Sequence, residues 1–147
     1  MSEPRIIRAE GIVNAPADVV FEQIADPARQ PAWDGNANLA TAAEGQRVHA
    51  VGDSFDMALT KDGAVRRNLI VEFEEARLIA WLPAPLGKEP PGHLWRWELE
   101  PLEDGTTRVS HTYDWTNLHD PSRLTRARNT TSEKLQASID RLAALFS

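Results

Sequence analysis

Residues Trp95–Trp115, WRWELEPLEDGTTRVSHTYDW, carry the reading on which the fold turns. Two runs that alternate between apolar and polar residues flank the turn LEDGT, the pattern of a β-hairpin with one covered and one wet face. Two loops compete. With Glu103 to Gly105 as a three-residue loop closed by a left-handed glycine, Leu99 faces Val109, Trp97 faces His111 and Trp95 faces Tyr113. A two-residue loop sets Glu100 against Val109 and Glu98 against His111 instead. A slip of one residue turns every side chain to the other face, so the pattern selects the longer loop.

The same test applied to LTKDGAV, residues 59–65, again favours three residues, Lys61 to Gly63. That register pairs Leu59 with Val65, Met57 with Arg67 and Phe55 with Leu69, whereas a two-residue loop pairs Leu59 with Arg66 and Met57 with Asn68. The odd-numbered residues of both hairpins are therefore expected on the covered face. They include Met57, Arg67, Leu69, Trp95, Trp97, His111 and Tyr113, with Arg66, Asn68, Glu72, Arg96 and Glu98 on the wet side.

Around these hairpins, RIIRAEGIV (5–13) reads as an opening strand, and Pro16 suits the first position of a helix with Asp18 in its first turn. Asp26-Pro27 repeats the cap-and-proline signal for a second short helix running towards Trp33. A strand is expected near Leu39 to Ala43, and another over Leu78 to Leu82, which contains Trp81 and is apolar on both faces. Asp120 and Pro121 open a terminal helix predicted to reach Phe146. Its stripe is Leu124, Ala127, Thr131, Leu135, Ile139, Leu142 and Phe146. The stripe is greasy in its second half and thin in its first, which leaves room beneath the first. Arg123, Arg126 and Arg128 read as the solvated side of that helix. PAPLGKEPPGH (83–93), with four prolines and two glycines, reads as a shaped loop, either a lid or a strand connector.

The chain has 147 residues, enough for a single domain spanning 1–147 with its own core. It has no cysteine, which excludes disulfides, thiolate catalysis and cysteine-ligated zinc. A formal charge of −6 argues against nucleic-acid or anionic-membrane partners. No apolar run has signal-peptide or bilayer-spanning length, so the expectation is a cytoplasmic protein that does not insert into membranes. The four histidines lack metal-ligand spacing, and no nucleotide-binding or serine-hydrolase motif occurs. The reading includes no cofactor and no metal.

The order of elements resembles the START and birch-pollen-allergen superfamily (SRPBCC), in particular its polyketide cyclase/dehydrase branch. The likeness rests on NAPADVVFEQIADPARQPAW after the first strand, VGDSF before the third, WRWELEPLEDGTTRVSHTYDW, and the long terminal helix. It implies an α+β helix-grip fold: a curved, seven-stranded antiparallel sheet wrapped around a long C-terminal helix, with two short helices after the first strand and a ligand cavity between. It implies binding of lipids, polyketides or other apolar molecules, and catalysis in a minority of members. A related branch stimulates a chaperone ATPase. No catalytic residue is carried over from the family.

Three polar side chains on an apolar face need partners, since burying an unpaired hydroxyl or amide costs about 2–7 kcal/mol in an apolar medium. Arg67, His111 and Tyr113 are therefore expected to orient the polar end of an apolar or aromatic small molecule. Trp95, Trp97, Met57, Leu69, Trp81 and Thr131 would line its cavity, with Trp33 near the mouth. The alternatives are a cyclase or dehydratase using His111, Tyr113 and Arg67 as acid–base and polar groups, and a chaperone-associated interaction module. The last requires an apolar outer sheet face, against which the polar even-numbered residues speak.

Overall fold

A computed structural model describes residues 4–35 and 38–147. Seven strands make one antiparallel sheet: β1 (Ile6–Val13), β2 (Leu39–Thr41), β3 (Ser54–Leu59), β4 (Val65–Glu74), β5 (Leu78–Pro85), β6 (Leu94–Pro101) and β7 (Thr107–Asp114). The last strand pairs with the first, giving the order β1-β7-β6-β5-β4-β3-β2. The curled sheet and the C-terminal helical segment form the expected helix-grip fold.

Between β1 and β2, α1 (Ala17–Ala25) starts behind Pro16, whose extended backbone makes it the cap rather than the first helical residue. Val20, Phe21 and Ile24 lie on its buried side. The Asp26 carboxylate then accepts from the Ala28 amide at 3.3 Å and opens a 3-10 turn, Pro27–Ala32, which is tighter than an α-helix and contains a second proline, Pro31.

The β6–β7 hairpin has the register read from its sequence: Trp95 opposite Tyr113, Trp97 opposite His111, Leu99 opposite Val109. The β3–β4 hairpin does not. Met57 faces Arg66, Phe55 faces Asn68 and Asp56 faces Arg67, so even-numbered residues of β4 look inward. Asp62 and Gly63 both take positive φ, 57° and 61°, and the Ala64 amide bonds the Lys61 carbonyl at 3.2 Å. These are the marks of a two-residue primed turn. The Leu59 amide reaches the same Ala64, at its carbonyl, while the Thr60 amide bonds Asn38 beside β2. Thr60 and Lys61 are thus set out of the ladder, a two-residue offset that preserves the parity of the short turn. The expectation for Arg67 and Leu69 is overturned: Arg67 points outward to Asp56, and Leu69 is 38% exposed.

Further along β4 the register shifts between Ile70 and Glu72. Val71 is the extra residue of this bulge, and it returns odd positions to the inside. Phe73 therefore meets Phe21 of α1, edge to face at 5.6 Å. On the outer face Glu72 and Arg96 make two 2.7 Å hydrogen bonds. They flank Ala80, which pairs with both and is fully buried. That small residue explains why β5 reads as apolar on both sides.

The terminal helix is also broken. After a short turn at Pro121–Arg123, α2 spans Leu124–Arg128, and α3 runs over Ser132–Ala144. The interruption falls at Asn129, Thr130 and Thr131, residues with weak helix propensity whose side chains compete for backbone partners. Thr131 caps α3, its hydroxyl accepting from the Lys134 amide at 3.4 Å, and is exposed. Thr130 is buried in its place. α3 packs on β1 and β7, where Gly11 leaves room for Ile139; a Cβ at Gly11 would lie 2.6 Å from Ile139 Cγ2. No described helix is long and apolar enough to cross a membrane.

Gly35 docks the segment before β2 on α3, its amide donating to Ser138 Oγ at 2.8 Å. A Cβ there would lie 2.3 Å from the Ser138 nitrogen and 2.5 Å from the Ala137 carbonyl carbon, backbone atoms that cannot rotate away. Gly35→Ala should therefore lower the unfolding free energy by about 1–3 kcal/mol. A urea midpoint equal to that of the unmodified protein would contradict this seating.

Candidate functional site

A cavity lies between the inner sheet face and the segment from α2 to the first turns of α3, under the thin half of the terminal stripe. About 130 Å³ of it is open to the centre of a water-sized sphere, roughly ten times what a single ordered water requires. Its depth is aromatic. Trp33 stands edge-on to Trp97 with ring centres 5.2 Å apart, and Phe55 edge-on to Trp81 at 5.4 Å. Met57, Leu59 and Leu135 fill in between.

His111 is set into this wall by strand pairing. Its ring stacks on Trp97, directly opposite, at 3.6 Å and 14°, and lies nearly parallel to Trp95 at 5.5 Å. Nδ1 lies 3.0 Å from the Arg96 carbonyl. A carbonyl only accepts, so Nδ1 carries the proton and the neutral ring keeps its lone pair on Nε2. Burial drives the imidazole down to about 3, with the Arg96 bond opposing it.

Two residues along β7, Tyr113 tilts over Trp95 at 4.3 Å. Burial pushes its phenol up to about 12, against the pull of Arg126, Arg123 and a hydrogen bond with Thr130. The Thr130 hydroxyl in turn donates to the Arg126 carbonyl at 3.0 Å. His93, edge-on to Tyr113 at 6.0 Å, is held at about 4 by burial first and then by Arg123, Arg66 and Arg126. Its Nδ1 is buried without a partner among the described residues. At the mouth stand Arg66, Arg123, Arg126 and Lys134.

His111, Tyr113, Trp95, Trp97, Met57, Trp81 and Trp33 thus lie on the cavity lining, though Trp33 is buried against Trp97 rather than at the mouth. Arg67, Leu69 and Thr131 do not. Arg67 bonds Asp56 on the outer face at 2.9 and 3.0 Å. Arg66, Asn68, Thr130, Arg123 and Arg126 were missed. The first two follow from the β4 parity, for which the Asp62-Gly63 dipeptide was the available signal. The others follow from the helix break, signalled by the Thr-Thr-Ser run. Arg123 and Arg126, read as a solvated helix side, also line the cavity, Arg126 while staying exposed and Arg123 half-buried.

A family model described as polyketide cyclase / dehydrase and lipid transport matches residues 5–147. The chain belongs to that family. Rv0088 of Mycobacterium tuberculosis (strain ATCC 25618 / H37Rv), an uncharacterized protein, is 30% identical over 105 residues, 70% of this chain and 44% of the relative. The match therefore spans less than half of that relative's length. Among solved structures, protein MLL2253 from Mesorhizobium loti aligns with a TM-score of 0.68 at 14% identity, covering 96% of each chain. DynU16, a putative protein in the dynemicin biosynthetic locus, aligns with a TM-score of 0.64 at 20% identity, covering 97% of this chain and 47% of that one. Both likenesses concern the fold. In this polyketide cyclase/dehydrase-family chain, no group of three or more His, Asp or Glu among the described residues is placed to hold a metal ion.

The lowered histidines make stability pH-dependent in a defined window. Unfolded, each ring takes up a proton below about 6.5, while folded His111 and His93 stay neutral to about 3 and 4. The unfolded state then binds more protons, so stability is full above about 6.5 and falls with pH, by up to about 1.4 kcal/mol per unit for each ring. Urea unfolding at pH 7.5 and pH 5 should show this loss, and His111→Asn should shrink it. An unchanged difference in that variant would mean the ring titrates normally.

Proposed function

We propose that the protein binds an apolar or aromatic small molecule in this cavity and acts as a carrier or receptor for it rather than as an acid–base catalyst. The observation that supports the reading best is the aromatic depth of the hollow: four of the chain's five tryptophans lie along it, with space left between them. Apolar contact contributes on the order of 25 cal/mol per Å² removed from water, so a flat hydrocarbon body among Trp33, Trp81, Trp95 and Trp97 has ample driving force. The Thr130 proton goes to the Arg126 carbonyl and the Tyr113 proton to Thr130, so these two oxygens offer lone pairs to a hydroxyl or amide donor of the ligand, the few fixed polar groups that a pocket uses for orientation.

A cyclase or dehydratase reading asks more of His111 than its surroundings allow. A general base works best with a pKa near the operating pH, and this imidazole is depressed to about 3. It is a hydrogen-bond acceptor in an aromatic wall. Tyr113, raised to about 12, is a donor and not a base. Arg67, the third member of the expected trio, is on the outer face.

The test uses the tryptophans as reporters. In ¹⁵N–¹H spectra, titration with 2-naphthamide should shift the indole signals of Trp33, Trp81, Trp95 and Trp97 in a saturable way. Trp115, buried away from the cavity, should stay still. Native mass spectrometry of freshly purified protein should show a co-purified small molecule. Indole signals unmoved by millimolar naphthamide, together with an empty mass spectrum, would defeat the proposal.

A further inference from the structure

The chain carries 22 acidic and 16 basic residues, yet cations gather where the cavity opens. Arg66 comes from β4, Arg123 and Arg126 from the turn and helix above it, and Lys134 from α3. Beyond the mouth lies an open depression of about 600 Å³ whose rim adds Lys61 and no carboxylate. It shares Arg66, Arg123, Arg126, Thr130 and Lys134 with the cavity, so hollow and depression are continuous.

What sets this group apart is that cations with few carboxylate partners converge on one opening, whereas Arg5, over the Trp115 ring, and Arg141, on the Asp34 backbone carbonyl, lie apart from the cavity lining. Elsewhere Arg8, Arg29, Arg47, Arg67, Arg96 and Arg108 each hold a carboxylate. Among the described residues none lies within ion-pair distance of Arg66, Arg126, Lys61 or Lys134. Arg66 makes one long bond, 3.5 Å, to its neighbour's carbonyl, and Arg126 donates to the neutral Asn38 at 2.7 Å. Arg123 touches Asp120 at 3.3 Å. Asp34, the one carboxylate on the cavity lining among the described residues, accepts the amides of Asn38 and Leu39 at 2.9 and 3.0 Å.

We propose that the cavity's ligand is an organic anion, its apolar body among the tryptophans and its carboxylate or phosphate held at the mouth by Arg66, Arg123 and Arg126, with Lys134 and Lys61 beside them. The inference rests on the binding function above and adds the chemical class of the ligand. Guanidinium forks suit carboxylate and phosphate oxygens, and such charge-assisted bonds are about twice as strong as neutral ones. The arginines are moreover mutually repulsive. Burial, Arg123 and Arg126 all push the Arg66 pKa down. An anion placed among them removes that repulsion, whereas a neutral ligand leaves it standing.

The experiment compares three probes with one aromatic body: 2-naphthamide, 2-naphthoate and 2-naphthyl phosphate, titrated against the full chain by the same indole signals. Both anions should bind at least about tenfold more tightly than the amide, the difference that one or two charged hydrogen bonds make. The preference should shrink as salt is raised from about 20 to about 300 mM. The tighter of the two anions identifies whether carboxylate or phosphate is the better fit. Arg66→Gln and Arg126→Gln should each narrow the anion-to-amide ratio several-fold. Arg67→Gln, one residue away and off the cavity, should leave it as it is. Binding of the amide with no preference for either anion would overturn this inference and leave the binding function intact; failure of all three probes would remove both. Equal narrowing by Arg66→Gln and Arg67→Gln would mean that net charge acts rather than a site, and would also overturn it.

Discussion

A strand offers each side chain only two directions, and in β4 that binary choice is made twice. Between Val65 and Ile70 the even residues face the helix, and past the extra residue at Val71 the odd ones do. The two halves serve different neighbours. Phe73 closes the apolar contact with Phe21 of α1, while Asn68 and Arg66 bring polarity to the cavity wall opposite Phe55 and Met57. Without the bulge, one of these demands would fail: a uniform even parity turns Phe73 to solvent, and a uniform odd one replaces Arg66 and Asn68 with Arg67 and Leu69. Bulges are used to re-aim side chains near functional sites, and this one separates the packed end of the strand from the wet end.

The helical segment is divided in the same sense. α3 lies close on β1 because Gly11 has no Cβ to hold Ile139 away, and Ile139 and Leu142 are sealed off from the cavity. A single straight helix would carry that contact forward and bury the phase that contains Thr131. The break at Asn129–Thr131 instead turns Thr130 inward and swings Arg123 and Arg126 over the opening. The hollow follows from the polar break and the glycine together, one lifting the chain off the sheet and the other clamping it down.

The parts of the molecule that satisfy ordinary packing were legible in the residues. The β6–β7 register followed from setting Trp97 and Leu99 against His111 and Val109, because one choice buried two glutamates and the other buried none. In β3–β4 the same test failed for a physical reason: the register it rejected for placing polar residues opposite Met57 shares its parity with the one the protein adopts. Arg66 lies at the cavity mouth, and the buried Asn68 amide donates to the Phe55 and Arg66 carbonyls at 3.4 and 3.3 Å, so the burial penalty that justified the test is absent. Arg123 and Arg126 were lost to the assumption of one uninterrupted helix. Their charge was visible, but their direction was set by backbone capping at Thr131.

The two ends of the cavity treat charge in opposite ways, and this constrains what enters. At the aromatic end even an imidazole is held neutral, since stacking on Trp97 and a bond to one carbonyl replace hydration too poorly for a cation. At the mouth three guanidiniums remain charged against one another because water reaches them. On the proposed binding function, a molecule that matches this gradient would enter apolar end first. Reversed, it would put its polar group beside Trp33 and Trp97, where the Nε2 lone pair of His111 accepts a proton donor and rejects an anion. The proposed orientation would therefore follow from desolvation at depth as much as from attraction at the surface. On that proposal the deep half would choose which end of the ligand goes in, and the shallow half what the other end must carry.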